Sequence, residues 1–92
     1  MALRWTRTAL RTLDEIAAFI AQDKPARAQS FVRELRMKIE RLEQFPDLGR
    51  VGRVAGTREL VLHANYLVIY RHRDGQVDIL RIHHVARRLG SR

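Results

Sequence analysis

Eleven consecutive residues, from Leu60 to Tyr70, carry no charge and are rich in β-branched and aromatic side chains. Such a run is typical of β-strands and limits the folds open to this chain. A second run of similar character, Val77 to His83, follows after Arg73-Asp-Gly-Gln76. An Asp-Gly pair between two such runs is typical of a two-residue β-hairpin turn. The two runs are therefore predicted to pair as antiparallel neighbours, and the rest of the chain must cover the sheet that they begin.

Four strands are predicted in all. Three lie in the second half of the chain, at Thr57 to Leu62, Tyr66 to Arg71 and Val77 to His83, and the turn around His63-Ala-Asn65 joins the first two. A short strand from Leu3 to Thr6 opens the chain, and its Trp5 is a large apolar anchor.

Two amphipathic helices are predicted between the first strand and the others. Apolar residues recur there at three- and four-residue steps, which places them on one face of a helix. The first helix is predicted to start at a Thr6 or Thr8 cap and to end near Gln22. The second begins at Pro25, which suits a first helical turn, and stops at Phe45-Pro46. Helices joined by two or three residues must lie antiparallel.

The predicted fold class is α+β in the order β-α-α-β-β-β, with a helical hairpin packed on a three- or four-stranded antiparallel sheet. A chain of 92 residues makes one domain, 1–92, with a basic tail from about residue 85 to 92. The residues predicted to be largely buried are Trp5, Leu13, Ile16, Ile20, Phe31, Leu35, Ile39, Leu42, Leu60, Val68 and Ile79.

The net charge of +8 is unevenly spread along the chain. Residues 1–48 hold nine basic and seven acidic side chains, whereas residues 49–92 hold nine basic and three acidic ones. Such a field suits an acidic protein segment or a phosphate backbone, and a merely soluble surface is the alternative. The chain has no cysteine and no apolar run of membrane-spanning length, so we expect a cytoplasmic protein without disulfides or a membrane partner.

The second half also holds the candidate site residues. Histidine titrates near neutrality, so an imidazole beside arginines could move a proton while the guanidinium groups hold a phosphate. The candidate catalytic residues for such chemistry are His83, His84, Arg81 and Arg87. The candidate binding residues are Arg50, Arg53, Arg58, Arg71, Arg87 and Arg88. A basic tail that only binds explains the same residues equally well.

Strand geometry argues against a metal site. Alternate side chains share a face, so Arg81 and His83 are predicted to point to the same side as Val77 and Ile79, and His84 to the other. The divergence of these adjacent histidines weakens the case for one shared ion, and a metal site would also need a further carboxylate or imidazole. We expect no metal and no cofactor.

Four segments in register resemble the RelE/ParE superfamily of toxins from bacterial type II toxin-antitoxin modules. They are Leu42-Glu-Gln-Phe-Pro-Asp-Leu-Gly-Arg50, Gly56-Thr-Arg-Glu-Leu-Val-Leu62, Tyr66-Leu-Val-Ile-Tyr-Arg71 and Ile79-Leu-Arg-Ile-His-His84, the last followed by Ala86-Arg87. The resemblance covers residues 3 to 88. It implies a cognate antitoxin, often acidic, that is disordered when free and folds over the toxin, with a heterotetramer or larger complex as the assembly.

The resemblance leaves two molecular targets open. RelE-like members cut messenger RNA in the ribosome with arginines, lysines and a C-terminal tyrosine or histidine, whereas ParE-like members inhibit DNA gyrase. In the ribonucleases an arginine usually follows the first aromatic residue of the strand matching Tyr66 to Arg71, but here that position is Leu67. The chain also lacks a C-terminal tyrosine. The resemblance therefore favours the ParE branch and a gyrase inhibitor, and a ribosome-dependent endoribonuclease is the alternative.

Overall fold

The computed structural model describes residues 2–85, which form two helices packed on one face of a five-stranded sheet. The elements in chain order are β1 (Ala2–Trp5), α1 (Arg7–Asp23), α2 (Pro25–Glu40), a 3-10 turn (Arg41–Glu43), β2 (Arg50–Val51), β3 (Arg58–His63), β4 (Tyr66–Arg73) and β5 (Gln76–His84). The predicted α+β class and helical hairpin are confirmed. The predicted basic tail lies, after its first residue, outside the described residues.

The sheet differs from the prediction in strand number and direction. Its order is β1-β5-β4-β3-β2, and β1 runs parallel to β5, with Trp5 opposite Ile79. The two-residue strand β2 pairs antiparallel with β3 at the other edge. The sheet is therefore mixed and has five strands. The sequence pattern indicates which segments are extended. It does not indicate that β1 pairs with β5, more than seventy residues away, because that pairing depends on where the helical hairpin places β1.

Three of the four helix boundaries follow the local signals, but α2 ends at Glu40 and a 3-10 turn, Arg41–Glu43, precedes the predicted stop at Phe45-Pro46. The Thr6 hydroxyl accepts a hydrogen bond from the Ala9 N–H at 3.1 Å, which caps α1, and donates to the Ile79 carbonyl at 2.7 Å. One side chain thus starts the helix and ties it to β5. Only Lys24 separates α1 from α2, and Pro25 occupies the first turn of α2 as predicted. Neither helix within residues 2–85 is long and apolar enough to cross a membrane.

The core lies between the helical hairpin and the sheet. Eight of the predicted core residues are buried, namely Leu13, Ile16, Phe31, Leu35, Ile39, Leu42, Val68 and Ile79. Trp5, Ile20 and Leu60 are only partly buried and pack against the margin of this core. The cluster also includes Ala9 of α1 and five strand residues, Leu62, Tyr66, Tyr70, Val77 and Ile82. The strands that hold these five residues are predicted from the sequence, but which strand residues are buried depends on the face of the sheet that the helices cover.

A β-bulge at Leu80 corrects the predicted faces of β5. Tyr70 pairs with Ile79 and Ile69 pairs with Arg81, so Leu80 has no partner of its own on β4. The extra residue reverses the alternation of the side chains that follow it. Arg81 therefore lies on the face opposite to that of Val77 and Ile79, contrary to the prediction that these residues share a face.

Candidate functional site

The outer face of the sheet, on the side away from the helices, gathers several of the candidate site residues. The register of the two central strands places Leu67 opposite His83, Ile69 opposite Arg81, and Arg71 opposite Asp78. Because Tyr70 and Val68 point into the core, these alternating residues project outward. Arg81 is exposed, Ile69, Arg71 and His83 are partly buried, and Leu67 is buried at 4% exposure although it lies on this side of the sheet. We call Leu67, Ile69, Arg71, Arg81 and His83 the outer face.

Asp78 supplies an acidic group next to this surface, and its charge is already balanced. Arg4 Nε donates to Asp78 Oδ1 at 3.0 Å, and the Gln76 amide donates to the same oxygen at 2.7 Å. The hydrogen bond from Arg4 and then that from Gln76 hold the pKa of the Asp78 carboxyl below its ordinary value, and Arg71 acts in the same direction. The charges on Arg71 and Arg81 therefore give the outer face a positive potential.

Arg50 and Arg53, two candidate binding residues, hold a loop to the sheet edge. Arg50 donates to Glu59 Oε1 at 3.3 Å, and the Arg53 N–H donates to Glu59 Oε2 at 3.4 Å. Burial by itself raises the pKa of the Glu59 carboxyl, but these hydrogen bonds and the two positive charges outweigh it and leave the pKa below its ordinary value. Arg50 thus holds the loop through its side chain, whereas Arg53 holds it through its backbone N–H.

Arg58 stabilises the preceding part of the same loop. Its guanidinium donates to the Gly49 carbonyl at 2.7 Å and lies 3.4 Å from Asp47 Oδ1. The buried Tyr70 hydroxyl donates to the Pro46 carbonyl at 2.7 Å and accepts from the Gly49 N–H at 2.9 Å. A Cβ on Gly49 would lie 2.8 Å from that hydroxyl, so only glycine permits this approach.

We expect the stability of the fold to fall on acidification because Glu59 and Asp78 both have lowered pKa values in the folded state. Their contribution is present above the ordinary carboxyl pKa, near 4, and is lost as the pH falls through the lower folded values. Urea midpoints measured between pH 7 and pH 3 should decrease. The decrease should be shallower in Asp78→Asn, and an equal slope in the variant would contradict the assignment.

His84 lies on the opposite face from His83, as predicted for adjacent residues of a strand. Its ring meets Tyr66 edge to face, with centroids 4.7 Å apart, and lies 6.2 Å from Phe19. Phe31 continues the arrangement, since it lies 5.5 Å from Tyr66 and 5.2 Å from His63. We call Phe19, Phe31, His63, Tyr66 and His84 the ring cluster.

Sequence reasoning missed the ring cluster because its members come from five different elements. Phe19 carried the one signal available, since it is a large aromatic residue that falls outside the apolar stripe of its helix and is 48% exposed. The structure thus separates His84 from Arg81 and leaves His83 with Arg81 on the outer face. Arg87 and Arg88 lie outside the described residues.

Known proteins match this chain over nearly its whole length. Residues 3–89 match the sequence model of the family described as ParE toxin of type II toxin-antitoxin system, parDE. A putative toxin of Sinorhizobium fredii, Y4kP, is 44% identical over 84 residues, which cover 89% of this chain and 85% of that protein. Toxin RelE2 of Caulobacter vibrioides is 39% identical over 83 residues, or 90% of this chain and 93% of that one.

Solved structures with the same fold include two toxin-antitoxin systems. The chromosomal ParDE system from P. aeruginosa contains a chain that is 30% identical, with a TM-score of 0.86 and coverage of 92% of this chain and 96% of that one. The RelBE2 toxin-antitoxin complex from Mycobacterium tuberculosis contains a chain with 26% identity and a TM-score of 0.62, covering 90% and 95% of the two chains.

Proposed function

The chain belongs to the ParE toxin family of type II toxin-antitoxin systems. We propose that it inhibits DNA gyrase and is neutralised by a cognate antitoxin. The observation that carries the choice of target is the composition of the outer face. Leu67, an apolar side chain, stands directly opposite His83.

Metal-independent RNA cleavage needs a proton acceptor and a proton donor positioned around a phosphate that cations hold. His84 faces the helices, so within residues 2–85 the outer face holds the imidazole of His83 and not that of His84. Leu67 fills the facing position with a group that can neither move a proton nor hold a charge. The outer face therefore suits binding better than catalysis.

The antitoxin partner is supported by charge and by the structural relatives. The toxin-like chains that resemble this one come from a ParDE system and a RelBE2 complex. A chain of net charge +8 attracts an acidic partner, and association between opposite charges is accelerated by their long-range field. We propose that the antitoxin segment is acidic and folds on binding.

A supercoiling assay beside a translation assay tests the target. We expect the purified chain to block supercoiling by gyrase while cell-free translation continues, because the proposed action needs a binding surface and no RNA chemistry. Adding the antitoxin should restore supercoiling. Intact supercoiling at an excess of the chain, together with arrested translation, would overturn the proposal.

A ribosome-dependent endoribonuclease is the second candidate, and the shared face of Arg81 and His83 favours it. Induction of the protein would then produce new messenger RNA ends near codon boundaries, visible by primer extension. His83→Ala should abolish those ends if the imidazole is the acid or base. Growth arrest that survives this substitution would instead support the gyrase proposal.

A further inference from the structure

A small cavity opens beside the ring cluster at the end of the sheet where α1 meets α2. It has a volume of about 280 Å³, and Ile20, Lys24, Arg27 and Asn65 complete its lining. We propose that this cavity receives one aromatic side chain from an acidic segment of the antitoxin, with flanking carboxylates near Lys24 and Arg27. The inference rests on the antitoxin partnership proposed above.

The size of the cavity limits what it can hold. Pockets for complete small-molecule ligands span roughly 300 to 1,000 Å³, and this cavity falls just below that range. It has room for a single aromatic ring and lies at the lower limit for a complete small-molecule ligand. Tyrosine and tryptophan are the residues that most often act as buried anchors in protein interfaces.

The geometry of the rings favours an aromatic occupant. Phe19 and His84 meet at 79°, and Tyr66 and His84 meet at 84°, so neighbouring rings present edges to faces. This is the preferred arrangement of aromatic pairs, and a further ring can continue it. Because Phe31 and Tyr66 are buried, most of the site is formed before the partner arrives, which lowers the ordering cost of binding.

The charges around the cavity favour an acidic segment. Lys24 and Arg27 are both exposed, and none of the described residues that line the cavity is acidic. Arg27 already stacks over Phe31 at 5.3 Å and donates to Glu34 at 2.6 Å. Glu34 thus balances much of the charge of Arg27 and holds its guanidinium over the aromatic wall, so the attraction of an acidic segment falls mainly on Lys24.

The end of the sheet that carries the cavity is held by its own backbone. The Val85 N–H donates to the Asn65 carbonyl at 2.9 Å, which ties the end of β5 to the turn between β3 and β4. His84 and Asn65 consequently keep fixed positions in the lining. A nucleotide base is the competing occupant, since a base can stack on a single aromatic face, and the binding test below distinguishes it from an aromatic side chain.

The first test uses blocked peptides with the purified full chain, followed by amide chemical shifts in NMR. The peptide Glu-Trp-Glu should bind about tenfold more tightly than Glu-Ala-Glu or Lys-Trp-Lys, a difference of about 1.4 kcal/mol. The largest shifts should fall on Phe19, His63 and Asn65. Equal binding of the three peptides would overturn the inference, and so would preferential binding of adenosine monophosphate.

The second test measures antitoxin affinity in matched variants. Phe19→Ala should weaken binding at least about tenfold, whereas Phe45→Ala should leave it unchanged, since Phe45 is similarly exposed at 52% but lies outside the cavity. Lys24→Glu should also weaken binding, with Arg11→Glu as its control. Circular dichroism should show an unchanged fold in all four variants.

The outcomes separate this inference from the proposed function. Tight antitoxin binding that is insensitive to Phe19→Ala and Lys24→Glu would overturn the anchor cavity and leave the partnership standing. Absence of any antitoxin complex with the unaltered chain would overturn the partnership itself. Phe19→Ala should still inhibit gyrase and escape neutralisation, because the outer face is untouched.

Discussion

Replacing Tyr70 with alanine is expected to lower the free energy of unfolding by about 3 to 5 kcal/mol, the range for removing a large buried aromatic side chain. Tyr70 is completely buried, and its ring lies in the core beneath the helices. Loss of the side chain leaves a cavity there and also frees the loop that its hydroxyl holds. Urea denaturation followed by circular dichroism measures the difference.

Tyr70→Phe separates the ring from the hydroxyl. The ring stays in the core, but the Pro46 carbonyl and the Gly49 N–H lose their partner, which costs about 1 to 3 kcal/mol. The phenylalanine variant should therefore lie between the unaltered chain and Tyr70→Ala. Equal stability of Tyr70→Phe and the unaltered chain would mean that the loop contacts contribute nothing.

Arg81→Glu is expected to weaken gyrase inhibition at least about tenfold, equivalent to about 1.4 kcal/mol. Arg81 is exposed on the outer face, away from the core. Reversing its charge opposes an acidic or phosphate-bearing target without disturbing packing, since like charges across an interface are penalised. The concentration that halves supercoiling measures the effect.

Two controls accompany this substitution. Arg11→Glu makes the same change of charge at an exposed position of α1, on the other side of the sheet, and should leave inhibition unchanged. His83→Ala should alter inhibition much less than Arg81→Glu if the surface binds without chemistry. A loss of inhibition that is equal in Arg11→Glu and Arg81→Glu would refute a role for the outer face.

The most accurate sequence predictions concerned features with local causes. Thr6 caps α1 and Pro25 opens α2 where expected, because both effects are decided within one helical turn. Asp74 and Gly75 both have positive φ, 53° and 73°, which is the geometry that an Asp-Gly turn requires. The buried positions of the helices follow in the same way from their apolar spacing.

The candidate site was less predictable. Whether Arg81 and His83 share a face with Val77 depends on one bulge at Leu80, and no residue pattern in β5 announces it. Arg50 and Arg58 form ion pairs with Glu59 and Asp47, which only the folded structure brings beside them, whereas Arg53 contacts Glu59 through its backbone N–H.

The two helices, the hairpin at Asp74-Gly75, the positive charge and the family can all be predicted from the amino-acid sequence, since each depends on neighbouring residues or on matching segments. The parallel pairing of β1 with β5, the outward position of Arg81 and the ring cluster become visible only in the folded structure. These features join residues distant in sequence. Their energies depend on contacts that exist only after the helices have packed on the sheet.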